Sequence, residues 1–133
     1  MIKVYTDAAT NAQQKKSGGG ILIVNDNQQT QLSFPLEEED NHSAELAAIM
    51  YALRYLLENQ LENQNVLLYS DSKTAIKILD QGQTKNNRFS PYLTEFNEIS
   101  EKFTLLVLQW IPESKNKGAD HLARQGLQKS LKL

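Results

Sequence analysis

At 133 residues, 40% of them hydrophobic, the chain is long enough to bury a sizeable core and short enough to read as one domain over 1–133. It has no cysteine, which excludes a disulfide framework and thiolate metal sites. A formal net charge of −2 argues against a strongly electrostatic nucleic-acid binder but leaves room for a local basic patch.

The first third reads as strands. Met1 to Thr6 is short and β-rich, Gly18-Gly19-Gly20 leads into Ile21 to Val24, Asn25-Asp26-Asn27 supplies turn residues, and Thr30 to Leu36 alternates polar with apolar. Then the period changes. From Ala44 to Asn59 the residues Leu46, Ile49, Met50, Leu53 and Leu57 fall on one helical stripe, with Asp40 or Asn41 as N-cap. Val66 to Tyr69 reads as a buried strand, and Ser72 to Leu79 as a helix ended by Gly82. Ser90-Pro91 opens a helix striped by Tyr92, Leu93, Phe96, Ile99 and Phe103. Thr104 to Ile111 is a strand stopped at Pro112, and a last helix runs from about Asn116 to Gln128 with Ala119, Leu122, Ala123 and Leu127 inward.

The order β-β-β-α-β-α-α-β-α predicts an α/β fold. Its first three strands form an antiparallel meander, and right-handed crossovers lay the fourth and fifth parallel to the first, giving a mixed five-stranded sheet with helices packed on it. No apolar run has the length of a signal peptide or a membrane span, so the expectation is a soluble cytoplasmic protein, monomeric and without a membrane partner.

Four acids stand out on this scaffold. Asp7 ends the first predicted strand, and Asp71 in "LYSDS" follows the fourth; on adjacent parallel strands both emerge at the carboxyl edge, where ligands of α/β sheets bind. Glu45 lies four before Ile49 and eight before Leu53, so it points along the apolar stripe toward the sheet, a costly place for a carboxylate without a partner. Asp120 opens the last helix. Singly, each admits a plain structural role: Asp71 as a helix cap, Asp120 as a helix-dipole partner, Asp7 as a turn residue. Together they would repel and stay partly protonated unless a cation neutralised them, and an all-oxygen cluster suits a hard ion such as Mg²⁺ or Mn²⁺.

The stretches "YTDAA", "NHSAELAA", "YSDS" and "NKGADHLAR" resemble, in order and at compatible intervals, the four acidic motifs of type 1 ribonuclease H. "SGGGILI" after the first motif and "LQWIPE" before the last add to the likeness, which covers nearly the whole chain. The resemblance implies an endonuclease that cuts the RNA strand of RNA/DNA hybrids to 5′-phosphate and 3′-hydroxyl ends. It implies Asp7, Glu45, Asp71 and Asp120 as ligands of two Mg²⁺ or Mn²⁺ ions about 4 Å apart, and Asn41, His42 and Ser72 as nucleic-acid contacts; Lys115 and Lys117, beside the last acid, are further candidates for meeting phosphates, with a solvated surface role as the plainer reading. His42 stands where many relatives carry a second asparagine. The loop "IPESKNKGAD" lacks the histidine of many bacterial members, with Glu113 or Lys115 as possible stand-ins, while His121, one residue past Asp120, points about 100° away around the helix. The family's basic protrusion is missing, since "DQGQTKNNRFSP" offers only Lys85 and Arg88. The alternative is a catalytically weak or silent nucleic-acid-binding module with the same fold; a transposase-like nuclease is disfavoured by "NKGADHLAR".

Overall fold

Strands β1 (Ile2–Asn11), β2 (Lys16–Asn25) and β3 (Gln28–Leu36) form the antiparallel meander in the computed structural model, which describes residues 1–133. The turn between β2 and β3 is closed by Asp26 at φ 56°, a left-handed conformation that a short polar side chain tolerates. There follow α1 (Asn41–Glu58), β4 (Asn65–Ser70), α2 (Lys73–Gln81), α3 (Ser90–Ser100), β5 (Leu105–Trp110), a 3₁₀ turn (Glu113–Lys115) and α4 (Lys117–Leu131). The sheet order is β3-β2-β1-β4-β5, with β4 parallel to β1 and β5 parallel to β4, which is the mixed sheet the pattern predicts. No helix is long and apolar enough to cross a membrane.

Alternation along the strands gives the sheet two different faces. On one, Ile2, Val4, Ile21, Val66 and Leu68 meet Leu46, Ile49, Met50, Leu53 and Leu56 of α1, and α2 and α3 close the core with Ala75, Leu79, Leu93 and Phe96. Each fully buried aliphatic side chain contributes about 1.5–3 kcal/mol, so this face carries most of the fold. The other face receives α4 through the glycine run. A Cβ on Gly18 would lie 1.9 Å from the Leu127 amide nitrogen, and one on Gly20 2.3 Å from that of Ala123 and 2.4 Å from the Ala119 carbonyl. The helix backbone therefore rests directly on strand backbone. Only glycine permits it.

Several boundaries differ from expectation, for physical reasons. β1 does not stop at Thr6, because β2 pairs with it in register from Asn25 to Lys16, so Asp7 sits opposite Gly20 in mid-strand and is no turn residue. The glycines lie inside β2 rather than ahead of it. Helix α1 begins at Asn41, since Asp40 is the N-cap, accepting from the Ser43 amide at 3.0 Å. Ser72 is likewise the cap of α2, accepting from the Ala75 amide at 3.1 Å, which frees Asp71 from that task. Phe103 is buried but lies beyond α3, and α4 begins at Lys117 and extends to Leu131.

Candidate active site

The acids meet where one strand ends and its neighbour continues. The β1–β4 ladder closes with Thr6 opposite Ser70, so past that level β1 has no strand on its β4 side. The unpaired amide of Ala8 is taken up by Glu45 Oε1 at 3.2 Å, reaching in from α1. Asp7 shares its face with Gly20, the side on which α4 lies, and Asp71 turns off the end of β4. Carboxylate oxygens of Asp7, Glu45 and Asp71 lie within 4.8 Å of one another. Asp120, in the first turn of α4, is set apart from this trio but lines the same cleft of about 660 Å³. Three of the four acids thus form a tight cluster, with the fourth on the wall of the same cleft.

Asp7 and Glu45 are only 5% and 4% exposed, so their charges are poorly solvated. Burial, then the Asp71 charge, pushes the Asp7 carboxyl up to about 7 from 3.8. Burial and then Asp7 hold Glu45 well above the usual carboxylate range. Burial also raises Asp71, and the Glu113 charge adds to it, against a hydrogen bond from Asn116 that lowers it. Glu45 Oε2 is buried without a partner. A cluster of this kind fits a divalent cation, which would satisfy that oxygen and neutralise charges that otherwise repel.

This has a thermodynamic consequence of definite sign. A carboxyl raised in the folded state costs nothing below its unfolded pKa, where both states are protonated, and costs most above its folded pKa, where the native state must ionise against burial. The metal-free protein therefore loses stability through this cluster as pH rises from about 4 through about 7. A tenfold weakening of an acid corresponds to about 1.4 kcal/mol, so Asp7→Asn is expected to stabilise the metal-free protein at about pH 8 by roughly 1–3 kcal/mol. Thermal melts with and without Mn²⁺ check this: Mn²⁺ should raise Tm more at about pH 8 than at about pH 5, and Asp7→Asn should abolish most of that gain.

The remaining expected residues divide. Asn41, His42 and Ser72 line the cleft, whereas Lys115 and Lys117 are exposed and lie outside its wall. Glu113 reaches the cleft, and His121 is exposed beside Gln125, away from it. Two residues escaped the sequence reading. Asn116 is 1% exposed, and its Nδ2 donates both to the Thr6 carbonyl at 2.9 Å and to Asp71 Oδ2 at 3.1 Å, fastening Asp71 to β1 and to the start of α4. Arg124 lines the cleft and pairs with Asp120 at 3.3 Å, an i,i+4 contact that the helical spacing alone signals.

The model of the reverse transcriptase-like family matches residues 5–126, which include all four acids. The chain belongs to this family. An Enterococcus faecalis relative named "Putative hydrolase EbsB" is 43% identical over 129 residues, covering 97% of this chain and 96% of the relative. Among solved structures, LC11-RNase H1 in complex with an RNA/DNA hybrid superposes with a TM-score of 0.88 at 23% identity, covering 98% of this chain and 99% of the other. RNase H1 of Halobacterium salinarum gives 0.84 at 20% identity, covering 96% and 98%. The fold is that of ribonuclease H, as the motifs imply.

Proposed function

We propose that this protein is an endonuclease dependent on Mg²⁺ or Mn²⁺ that hydrolyses the RNA strand of RNA/DNA hybrids, leaving 5′-phosphate and 3′-hydroxyl ends. The observation that carries the reading is the cluster of Asp7, Glu45 and Asp71, with the unpartnered Glu45 oxygen, in a cleft at the carboxyl ends of the interior strands β1 and β4. The solved LC11-RNase H1 complex, of the same fold, supports the hybrid as substrate.

Asp7, Glu45 and Asp71 would hold the cations, with Asp120 contributing from the wall of the same cleft. Two such ions, when bound, supply an activated water for in-line attack and neutralise charge on the leaving 3′ oxygen. The chain's own residues set the geometry around them. Asn116 fixes the Asp71 carboxylate by donating to one of its oxygens, leaving the other free of that bond. The Ala8 amide does the same for Glu45. Arg124 restrains Asp120 while leaving it half-exposed. Asn41, His42 and Ser72 on the cleft wall offer amide, imidazole and hydroxyl groups to the ribose 2′-hydroxyl and the backbone, the chemistry that separates RNA from DNA. Lys115 and Lys117, exposed on either side of Asn116, are available to substrate that extends past the cleft.

The test is strand-resolved cleavage of labelled duplexes. Cutting of the RNA strand in a hybrid, with no cutting of the DNA strand or of duplex DNA, is expected; cutting of the DNA strand overturns the assignment.

A further inference from the structure

The cleft holds five acids, and a polyanion entering it needs cations close by. The arginines do not supply free ones. Arg54, Arg88 and Arg124, all the arginines of the chain, are engaged in ion pairs with Glu95, Asp40 and Asp120. No lysine is paired in this way, and three exposed lysines are arranged along a single path.

Lys73 lies on the cleft wall, with its Nζ 4.6 Å from the centre of the Trp110 ring. That ring is fixed in turn, since Trp110 Nε1 donates to the Asp71 carbonyl at 3.1 Å. The indole face thus steadies the ammonium beside the acid cluster while leaving it exposed. Lys73 is also the first residue of α2, where the helix dipole disfavours a cation. A residue that breaks the local rule without an ion-pair partner suggests selection for an external anion.

One turn on, Lys77 projects from the same side of α2. It lines a second hollow of about 520 Å³ together with Lys85 from the loop after α2, and Thr74 borders both this hollow and the acidic cleft. The two depressions therefore adjoin at Thr74 on α2.

We propose that Lys73, Lys77 and Lys85 form a phosphate-binding track leading from the acid cluster along α2, on which the backbone of the nucleic acid lies. The inference rests on the hybrid being the substrate and adds where the chain grips it. Two of its three cations, Lys73 and Lys77, lie on α2, and only Lys85 belongs to the connection that replaces the basic protrusion.

The experiment measures binding of a fluorescent RNA/DNA hybrid in chelator, so that nothing is cut, over a range of salt concentrations. Native protein is compared with the triple variant Lys73→Gln, Lys77→Gln, Lys85→Gln and with the control Lys15→Gln, Lys16→Gln at the turn from β1 into β2. Each phosphate contact contributes about 0.9 to the slope of log affinity against log salt, so the triple variant should lose roughly 2–3 from that slope, while the control should keep it. All three proteins should melt at similar temperatures, because none of the substituted side chains is buried. A triple variant with the native slope and affinity overturns the track while leaving the nuclease reading intact. An equal loss per charge in the control overturns it too, as general electrostatics. Native protein that fails to bind the hybrid overturns the track, whose lysines act without a metal, while the strand-resolved cleavage assay decides the nuclease reading separately.

Discussion

Asp7→Asn is expected to leave hybrid binding in place and to cut the RNA strand at least about 10³-fold more slowly. The side chain keeps its volume and loses only the charge, at the one position where burial, Asp71 and Glu45 converge. Cation ligation is worth several kcal/mol of charge stabilisation in such reactions, and each 1.36 kcal/mol is tenfold in rate. Asp71→Asn should match it. Asp120→Asn should cost less, because Asp120 is half-exposed, lies outside the tight trio and already shares its charge with Arg124. Single-turnover rates with saturating protein separate these outcomes from weakened binding. Equal losses at all three positions would show that the acids act as one unit, without the ranking that the geometry implies.

Gly20→Ala is the second large effect. A methyl group there would meet the backbone of Ala119 and Ala123 at 2.3–2.4 Å, and backbone cannot rotate away as a side chain can. The helix must lift off the strand or the strand must bend. Overpacking of this kind costs about 3 kcal/mol, which in a domain of this size is a fall in Tm of roughly 10 °C. The displaced turn carries Asp120, so cleavage should fall as well. A variant with native Tm and native rate would mean that α4 does not rest on the glycine strand.

How far the site was legible varies residue by residue. Glu45 was the clearest, because its spacing to Ile49 and Leu53 fixes its direction on a helix whose period is unambiguous. Asp71 was legible as the residue after a buried strand. Its capping alternative fell only when Ser72 proved to cap α2. Asp7 was found, but its setting was misjudged. "DAATN" carries no strong strand pattern, and the strand persists there because β2 pairs with it through glycines, a partnership that local propensity does not encode. Asn116 was invisible as a site residue for the same kind of reason. Its partners Thr6 and Asp71 are 110 and 45 residues away, and only the fold brings them to it. Arg124 could have been found from Asp120 by helical spacing, whereas Lys73 stands out only once the fold sets it against Trp110.

Electrostatic economy explains why so acidic a site can sit in a chain of net charge −2. The repulsion is concentrated among three carboxylates that the core holds in place, and a cation held among them would relieve that strain. The same strain links stability, pH and metal binding in one set of melts, and it makes removal of divalent ions the sharpest probe of the whole account.

That measurement follows an RNA/DNA hybrid labelled on both strands, first with protein in chelator and then after Mg²⁺ or Mn²⁺ is restored. No cutting is expected in chelator, with return of cutting on addition of either ion and an intact DNA strand throughout. RNA cleavage that persists in chelator, or a protein that holds the hybrid without cutting it at any concentration of either ion, would contradict the metal-dependent nuclease reading.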